Sequence, residues 1–242
     1  MPSPSSGPLS GQVSVVTGGS RGIGYGIAAA LAHLGASVVI TGRDAARVQA
    51  AARELSSLGA PCEGVECDVT QIKRVDEFGA YLRRRHGRVD VLVNNAGVAA
   101  PPSLLHELPP DAWDEIFNTN VRGVFFMLRA IVPLMMAAGT GHVINISSLA
   151  GKNPLPKGAA YSASKWALNG LTYSVAEELR AHNIRVSTVC PGSVDTDFSP
   201  HTGKDPARML RPDDVAHVVT MLVTQRPQSF VSEVLLRPTR KP

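Results

Sequence analysis

Tyr161 and Lys165 are four residues apart in a stretch whose pattern predicts a helix, so their side chains share one face of that helix. A phenol titrates at ~10, too high for proton transfer at neutral pH. A neighbouring ammonium, with an oxidised nicotinamide nearby, would favour the phenolate and lower that pKa. Ser148 precedes Tyr161 by thirteen residues and would hydrogen-bond the same substrate oxygen, whereas Ser147 is expected to point into the sheet. These side chains predict acid–base chemistry at a substrate oxygen. An exposed Tyr–Lys pair without a function is the alternative.

A glycine-rich stretch, residues 17–24 with the sequence TGGSRGIG, follows the first apolar run of the chain and precedes a helical pattern. Glycines at a turn from a strand to a helix let the backbone approach a pyrophosphate, and the helix N-terminus adds free N–H donors. The spacing is GxxxGxG rather than the GxGxxG fingerprint, and a plain tight turn is the alternative. The position directly after the first strand favours nucleotide binding.

Apolar runs rich in β-branched residues alternate with longer helical patterns along the whole chain. The runs are continuous, which is typical of strands that helices cover on both faces. The pattern predicts one α/β domain with a doubly wound parallel sheet of about seven strands, whose ligands lie beyond the carboxyl ends of the strands. The predicted strands are 13–17, 37–41, 62–67, 89–94, 142–147, 184–190 and 231–236, and the predicted helices are 23–34, 45–58, 72–86, 112–136, 159–181 and 212–224.

The composition excludes several classes of protein. Of the 242 residues, 44% are hydrophobic and 18% charged, so the chain can bury a core and is not a disordered protein. The net charge of +4 is too small and too scattered to indicate nucleic-acid binding. Cys62, Cys67 and Cys190 form no CxxC motif, and the histidines form no HxxxH pair, so we expect neither a disulfide scaffold nor a metal site.

Targeting signals are not recognisable either. Residues 1–11 are rich in proline and serine, lack a secretory pattern, and are expected to form a flexible N-terminal tail. Residues 130–151 are uncharged, but Pro133 and two glycines interrupt them, so we expect no membrane span. We therefore expect a cytoplasmic protein with a single domain over residues 12–242.

From Gln12 to about Pro238, the chain resembles the short-chain dehydrogenase/reductase family. The resemblance implies a single Rossmann-type domain that transfers hydride between a nicotinamide cofactor and an alcohol or carbonyl. The end of the chain, residues 235–239 (LLRPT), departs from the glycine-rich turn that many members have there. The motifs that carry the resemblance are residues 17–24, Asp68-Val69, Asn94-Asn95-Ala96-Gly97, Asn120, Ser148, Tyr161, Lys165, and Pro191-Gly192 with Thr196.

The resemblance implies a role for each motif. Tyr161 is expected to be the general acid and base, Ser148 to orient the substrate oxygen, and Lys165 to bind the nicotinamide ribose and lower the Tyr161 pKa. Asn120 is expected to bind a water that links Lys165 to solvent. Asp68 and Val69 would contact the adenine. Asn94, Ala96 and Gly97 would border the adenosine ribose and support the central sheet, and Pro191, Gly192 and Thr196 would line the nicotinamide side. The residues expected to bind the cofactor are Gly18, Ser20, Arg21, Gly22, Ile23, Gly24, Arg43, Asp68, Val69, Asn94, Ala96, Gly97, Tyr161, Lys165, Pro191, Gly192, Val194 and Thr196.

The end of the second strand predicts NADP(H) rather than NAD(H). An acidic side chain there would bind both ribose hydroxyls and repel a 2′-phosphate, but the chain has Gly42 and Arg43. Asp44 is instead expected to cap the next helix. Arg43 offers a planar charged fork to a phosphate, and Arg21 would reach the same group, a pairing that resembles NADP-preferring members of the family. Two solvated arginines are the alternative.

The predicted function is NADP(H)-dependent hydride transfer to or from a carbonyl or secondary alcohol of a small organic substrate. Reduction of a 3-oxoacyl thioester, on an acyl carrier protein or on coenzyme A, is one alternative. The uncharged residues 137–141 weaken it, but Arg122, Arg129 and Arg180 would suit an acidic partner. A non-catalytic nucleotide-sensing protein is an alternative of another class, because fold alone does not establish activity.

The substrate is expected to bind between residues 98–106, 149–158 and about 193–211. Leu149, Leu155, Val194 and Phe198 would form an apolar wall there. An anionic group of the substrate would meet positive charge from the loops, although two aspartates offset it. The cations concerned are Lys152, Arg208 and Arg211.

A homo-oligomer is expected, and a tetramer rather than a dimer. The helical stretches 112–136 and 159–181 carry more apolar surface than one face of a sheet needs, and the family resemblance implies helix packing between subunits. The candidate interface residues are Phe125, Phe126, Met135, Trp166 and Leu171, each with ordinary core packing as the alternative.

Overall fold

A computed structural model describes residues 7–57, 61–198 and 203–242 of the chain. Seven parallel strands form one sheet in the order β3-β2-β1-β4-β5-β6-β7, and helices cover both of its faces. The predicted doubly wound sheet of Rossmann type in a single domain is thereby confirmed. The strands are β1 (Val13–Thr17), β2 (Ser37–Gly42), β3 (Cys62–Glu66), β4 (Val91–Asn94), β5 (Gly141–Ile146), β6 (Ile184–Pro191) and β7 (Glu233–Leu236). The helices are α1 (Gly22–His33), α2 (Ala45–Ser57), α3 (Ile72–Arg85), α4 (Pro110–Phe117), α5 (Gly123–Ala138), α6 (Ala159–Arg180) and α7 (Pro212–Val223).

The sheet separates two apolar cores. Successive residues of a strand point to opposite faces, so Val16 of β1 packs against α1, α2 and α7, whereas Val15 packs against α3, α5 and α6. All five residues of β1 are buried. Its continuous apolar sequence therefore follows from helical cover on both faces, as predicted.

The stretch predicted as one helix over 112–136 consists of two helices and a π-helical turn. Residues Asn118–Arg122 form that turn between α4 and α5. Together, Pro110–Ala138 are long and apolar enough to cross a membrane by length and composition, and 44% of the apolar window is buried inside the fold. A helix in the core of a globular protein can meet the same criteria of length and composition, so meeting them is weak evidence for a membrane span.

The N-terminal segment differs from the predicted flexible tail. Residues 1–6 lie outside the described residues, but residues 7–11 form a turn that packs on the domain. The Leu9 side chain is 2% exposed, and its N–H donates to the Leu34 carbonyl at 2.9 Å. The tail prediction is therefore wrong for residues 7–11, because burial of one leucine ties them to the end of α1.

The segment predicted to bind substrate is fastened at both ends. Val194 pairs with Leu210 in a parallel bridge, and the Asp195 N–H donates to the Leu210 carbonyl at 2.8 Å. Met209 and Leu210 are buried beside this bridge. Residues 199–202 of the predicted substrate loop lie outside the described residues.

Candidate active site

The glycine-rich loop joins β1 to α1 at the carboxyl edge of the sheet. Gly18 has φ +64° and Gly22 has φ +55°, a region that glycine enters without strain. A Cβ on Gly24 would stand 2.3 Å from the Gly18 carbonyl oxygen, so only glycine lets the helix pack against the loop. The first turn of α1 reads Gly-Ile-Gly-Tyr, without a carboxylate to compete for its N–H groups. This cradle fits a pyrophosphate.

Thr17 and Asn95 hold that loop in place, and although both lie in motifs of the family resemblance, neither was predicted to bind the cofactor or to act in catalysis. The Thr17 hydroxyl accepts hydrogen bonds from the Asn95 and Ala96 N–H groups, both at 3.0 Å. The Asn95 amide donates to the carbonyls of Thr17 at 3.0 Å and Gly18 at 3.2 Å. The ends of β1 and β4 are therefore tied together beneath the cradle. The signal in the sequence was the position of each residue directly at a strand end.

Ser148 and Tyr161 meet at the same edge of the sheet. Ser148 follows β5, and its hydroxyl accepts the Ala150 N–H at 3.1 Å, capping a 3-10 turn over Leu149–Gly151. Burial raises the pKa of Tyr161 to about 12, and hydrogen bonding from the nearby Ser148 hydroxyl, which lowers the pKa of the phenol, only partly offsets this effect. Ser147 is 4% exposed and points into the fold, as expected.

Lys165 lies beneath the ring of Tyr161. Its Nζ is 5.7 Å from the ring centroid and donates to the Ile146 carbonyl at 2.9 Å. The side chain is 4% exposed, and this burial lowers the pKa of Lys165 to about 8. Desolvation acts on both side chains and disfavours both charges. That Lys165, with an oxidised nicotinamide nearby, lowers the Tyr161 pKa stays a prediction.

Asn120 lies in the π-helical turn, a feature often found at functional sites. Its Oδ1 accepts the Val98 N–H at 2.8 Å, and its Nδ2 donates to the Val98 carbonyl at 2.9 Å and to the Ser164 hydroxyl at 3.0 Å. The side chain thus clamps the segment that follows β4. The predicted water link to Lys165 needs an acceptor, and one lone pair of Oδ1 is available for it beyond the Val98 bond.

The remaining residues predicted near the adenosine lie along the ends of β3 and β4. Asp68 accepts hydrogen bonds from the Thr70 N–H and hydroxyl at 2.9 and 2.8 Å, and Val69 is buried against Gly123. Asn94 is 2% exposed and donates to Asn145 at 2.8 Å, so its side chain supports the sheet. A Cβ on Gly97 would stand 3.2 Å from Asn120 Oδ1 and 3.7 Å from Lys165 Nζ. Ala96 and Gly97 therefore adjoin the cradle and Lys165, whereas Asn94 points away from them.

The end of β6 closes the other side of the site. A Cβ on Gly192 would meet Leu149 at 3.2 Å, which places Gly192 against the 3-10 turn that Ser148 caps. A Cβ on Gly22 would lie 3.4 Å from the Thr196 methyl group, so Thr196 contacts the glycine-rich loop. Pro191 is buried at the end of the strand, and Val194 forms the bridge to Leu210. Gly192 and Thr196 thus place the end of β6 against the turn that Ser148 caps and against the glycine-rich loop.

Arg21 and Arg43 are exposed at the outer end of the cradle. Arg43 pairs with Glu115 at 3.9 Å, with both side chains more than half exposed, and such a pair contributes little stability. Asp44 accepts the Arg47 N–H at 3.0 Å and caps α2, as predicted. Both arginines therefore keep their charge available to a ligand.

Two of the three predicted cations of the substrate loops, Lys152 and Arg208, form ion pairs within the protein. Lys152 pairs with Glu233 and donates to the Tyr173 hydroxyl, and Arg208 pairs with Asp205 at 3.2 Å. The Phe198 ring lies 6.0 Å from that of Tyr161. A small groove of about 20 Å³ also adjoins Tyr161, and its lining surface is polar and apolar in nearly equal parts. In the described ranges, no three His, Cys, Asp or Glu side chains group so that they could hold a metal ion.

Comparisons with known proteins agree with this geometry. The family model described as short chain dehydrogenase matches residues 12–207. An uncharacterized oxidoreductase of Staphylococcus saprophyticus is 36% identical over 231 residues, covering 95% of this chain and 98% of that protein. A metagenomic short-chain oxidoreductase, solved in complex with NADP, is 50% identical with a TM-score of 0.86, covering 96% of this chain and 99% of that one. An alcohol dehydrogenase from the archaeon Thermococcus sibiricus, complexed with 5-hydroxy-NADP, is 32% identical with a TM-score of 0.87, covering 96% and 98%.

The chain belongs to the short-chain dehydrogenase/reductase family. It is an oxidoreductase of that family, and the family together with the NADP-bound relative supports a nicotinamide cofactor.

Proposed function

We propose that the protein is an NADP(H)-dependent oxidoreductase that acts on a carbonyl or secondary alcohol of a small, neutral organic substrate. One observation carries the proposal: Ser148, Tyr161 and the buried Lys165 lie together at the carboxyl edge of the sheet, with Lys165 Nζ 5.7 Å from the centroid of the Tyr161 ring, beside a cradle that fits a pyrophosphate. A protein that only senses nucleotides has no need of these three side chains in this arrangement.

The bound nicotinamide would supply or accept the hydride, and the residues of the chain would handle the proton. In the direction of reduction, Ser148 donates a hydrogen bond to the substrate oxygen and fixes its position. Tyr161 donates the proton from its Oη, which its raised pKa keeps protonated until the oxygen gains negative charge. Lys165 then stabilises the phenolate that forms, and Asn120 keeps the segment at Val98 beside it. In the direction of oxidation, the same groups accept the proton.

A neutral substrate is supported by the ion pairs of two loop cations. Lys152 and Arg208 bind carboxylates of the protein, so an anionic substrate would compete with Glu233 and Asp205 for them. Phe198 offers an apolar ring beside Tyr161. The thioester alternative remains a second candidate, because the pairs Arg129–Asp76 and Arg180–Glu177 are exposed and leave the charge of both arginines available to an acidic partner.

The preference for NADP(H) is supported by Arg43 and by the absence of a carboxylate at the end of β2. A contact between a guanidinium and a phosphate is worth roughly 1.5–3 kcal/mol, so we expect at least a tenfold preference in kcat/KM. The relatives solved with NADP and 5-hydroxy-NADP are consistent with this expectation.

The test is NADPH oxidation by the purified protein across a panel of aldehydes, ketones and ketoacyl esters, repeated with NADH. Arg43→Asp is expected to abolish the preference for NADPH. Arg47→Asp is the matched control, since Arg47 lies in the first turn of α2, four residues after Arg43, and pairs with Asp44. Equal kcat/KM values for both cofactors in the parent, or an unchanged preference in Arg43→Asp, would contradict the assignment.

We also propose a cytoplasmic homotetramer. Phe125 and Trp166 are 49% and 52% exposed on α5 and α6, which supports an interface there. Phe126 and Met135 are 4% and 0% exposed, so the expectation that they lie at an interface is wrong for this fold, and Leu171 packs partly on the core. Light scattering is expected to give about four times the chain mass of 25.6 kDa. A monomer at micromolar concentration would contradict the proposal.

A further inference from the structure

A stripe of polar residues runs along the buried face of α6. Ser162, Lys165, Asn169 and Thr172 follow one another at the spacing of helical turns and are 9%, 4%, 2% and 0% exposed. The inner face of a helix is normally apolar, and a buried polar side chain needs a hydrogen-bond partner. Lys165 belongs to the candidate active site. The hydrogen-bond partners of Ser162, Asn169 and Thr172 show which elements the other three polar side chains connect.

Asn169 makes hydrogen bonds to two different elements. Its Nδ2 donates to the Gly151 carbonyl at 3.0 Å, and its Oδ1 accepts the Thr188 hydroxyl of β6 at 3.1 Å. The Cys190 thiol also points at Oδ1, at 3.9 Å. The amide therefore donates to the Gly151 turn and accepts from β6. An apolar side chain of the same size would make neither hydrogen bond.

The Gly151 carbonyl belongs to the turn that carries Ser148. Gly151 ends the 3-10 turn Leu149–Gly151, and its N–H donates back to the Ser148 carbonyl at 2.9 Å. A Cβ on Gly151 would stand 2.7 Å from Asn169 Nδ2, so the turn rests directly on the Asn169 amide. Ser162 adds a second tether from the same helix, because its hydroxyl donates to the Ala150 carbonyl at 2.6 Å.

The acceptor side of the amide reaches the opposite wall of the site. Thr188 and Cys190 lie on β6 just before Pro191 and Gly192, where the strand ends. Gly192 in turn packs against Leu149 of the 3-10 turn. One buried amide thus joins the helix of Tyr161, the turn of Ser148 and the strand that leads to Gly192.

We propose that Asn169 is a positioning residue that sets the Ser148 hydroxyl against Tyr161 by holding the Leu149–Gly151 turn on α6 and on the end of β6. The inference rests on the proposed function for its kinetic consequences. Its structural consequence, that Asn169 restricts the opening of the Leu149–Gly151 turn, can be tested without a substrate.

The effect on the reaction follows from the Ser148–Tyr161 bond. That bond lowers the pKa of Tyr161 against the opposing effect of burial. If the turn loosens, Ser148 bonds both the phenol and the substrate oxygen less often, and the Tyr161 pKa rises. A loss of Asn169 should therefore reduce kcat, shift the pH profile upward, and leave cofactor affinity nearly unchanged.

The test uses Asn169→Leu, which keeps the size of the side chain, and Asn169→Ala as a milder second variant. Thr172→Val is the matched control, since Thr172 is buried on the same face, one turn further along, and bonds to Asn145 rather than to the turn. Hydrogen exchange of the apo protein reports on the turn through the protected amides of Ala150, Gly151 and Lys152. We expect these amides to exchange at least about tenfold faster in both Asn169 variants and at the parent rate in Thr172→Val.

Kinetics then test the link to Ser148. Asn169→Leu is expected to lower kcat about tenfold, with the cofactor Kd within about threefold of the parent, because misplaced groups cost rate rather than binding. In a Ser148→Ala background, Asn169→Leu should cost little more, since a residue that acts through Ser148 is not additive with it. Unchanged exchange in residues 148–153 would overturn the inference whether or not a substrate is known. Full additivity with Ser148→Ala in an active parent would overturn it while leaving the proposed function intact.

Discussion

His142 is expected to make the stability of the fold depend on pH between 7 and 5. It lies at the start of β5, is 4% exposed, and its Nε2 is 2.8 Å from the Ser187 hydroxyl. Ser187 donates its single hydroxyl proton to the Val231 carbonyl at 2.6 Å. Nε2 must therefore carry the hydrogen of the neutral ring, and Nδ1 has no hydrogen-bond partner among the described residues. Protonation would place an unpaired charge in the core.

The size of the effect follows from the two pKa values. Burial, and to a lesser degree the charge of Arg185, lower the pKa of His142 from 6.5 to about 3. Below pH 6.5, His142 binds a proton in the unfolded chain but not in the folded chain. The free energy of unfolding therefore decreases as the pH falls, and the decrease continues until about pH 3. Linkage gives a cost of about 2 kcal/mol at pH 5 and almost none at pH 7.

The assay is denaturation by urea at pH 7 and pH 5, with His142→Gln as the test variant. Glutamine keeps a neutral donor for Ser187 and does not titrate, so the variant should lose about 2 kcal/mol less than the parent between the two pH values. His33→Gln is the control, because His33 is exposed on α1. An equal loss of stability in the parent and in His142→Gln would refute the reasoning.

Two further predictions concern the sheet and the site. Asp90→Ala should lower the free energy of unfolding by about 2–4 kcal/mol, because the buried carboxylate accepts hydrogen bonds from the Val13 N–H at 2.8 Å and from the Arg88 guanidinium at 3.0 Å. Urea denaturation measures this loss, and the exposed Asp76→Ala is expected to change the free energy of unfolding by less than about 1 kcal/mol. Lys165→Ala should weaken cofactor binding and lower kcat together, whereas Lys152→Ala, whose ammonium faces Glu233, should leave the cofactor Kd unchanged in a fluorescence titration.

The features predictable from the sequence are those whose signal is local. The apolar runs, the glycine spacing of residues 17–24 and the four-residue interval between Tyr161 and Lys165 all lie within short windows. Each of them therefore predicted its element and its place at the carboxyl edge of the sheet. The cap that Asp44 provides for α2 is equally local, and it too was confirmed.

The features that the sequence did not reveal depend on partners far along the chain. Thr17 and Asn95 are 78 residues apart, and Asn169 binds Gly151 and Thr188. No pattern within one segment indicates such pairs.

The effect of burial on the Tyr161 pKa was not predictable for a related reason. The sequence shows the nearby ammonium, but only the fold shows that the phenol is buried, which raises its pKa. Likewise, Phe125 and Phe126 are neighbours in sequence, and the rotation of α5 alone decides that one is exposed and the other buried.

The most direct test of the proposed mechanism is the rate of NADPH oxidation by Tyr161→Phe on a substrate that the parent accepts. The variant keeps the ring but loses the proton donor, so kcat should fall by ~10²–10⁴-fold while the cofactor Kd stays close to that of the parent. Tyr173→Phe is the matched control, because that phenol lies on the same helix and bonds to Glu233 instead. A Tyr161→Phe enzyme that retained more than about a tenth of the parent kcat would contradict the assignment of Tyr161 as the acid and base.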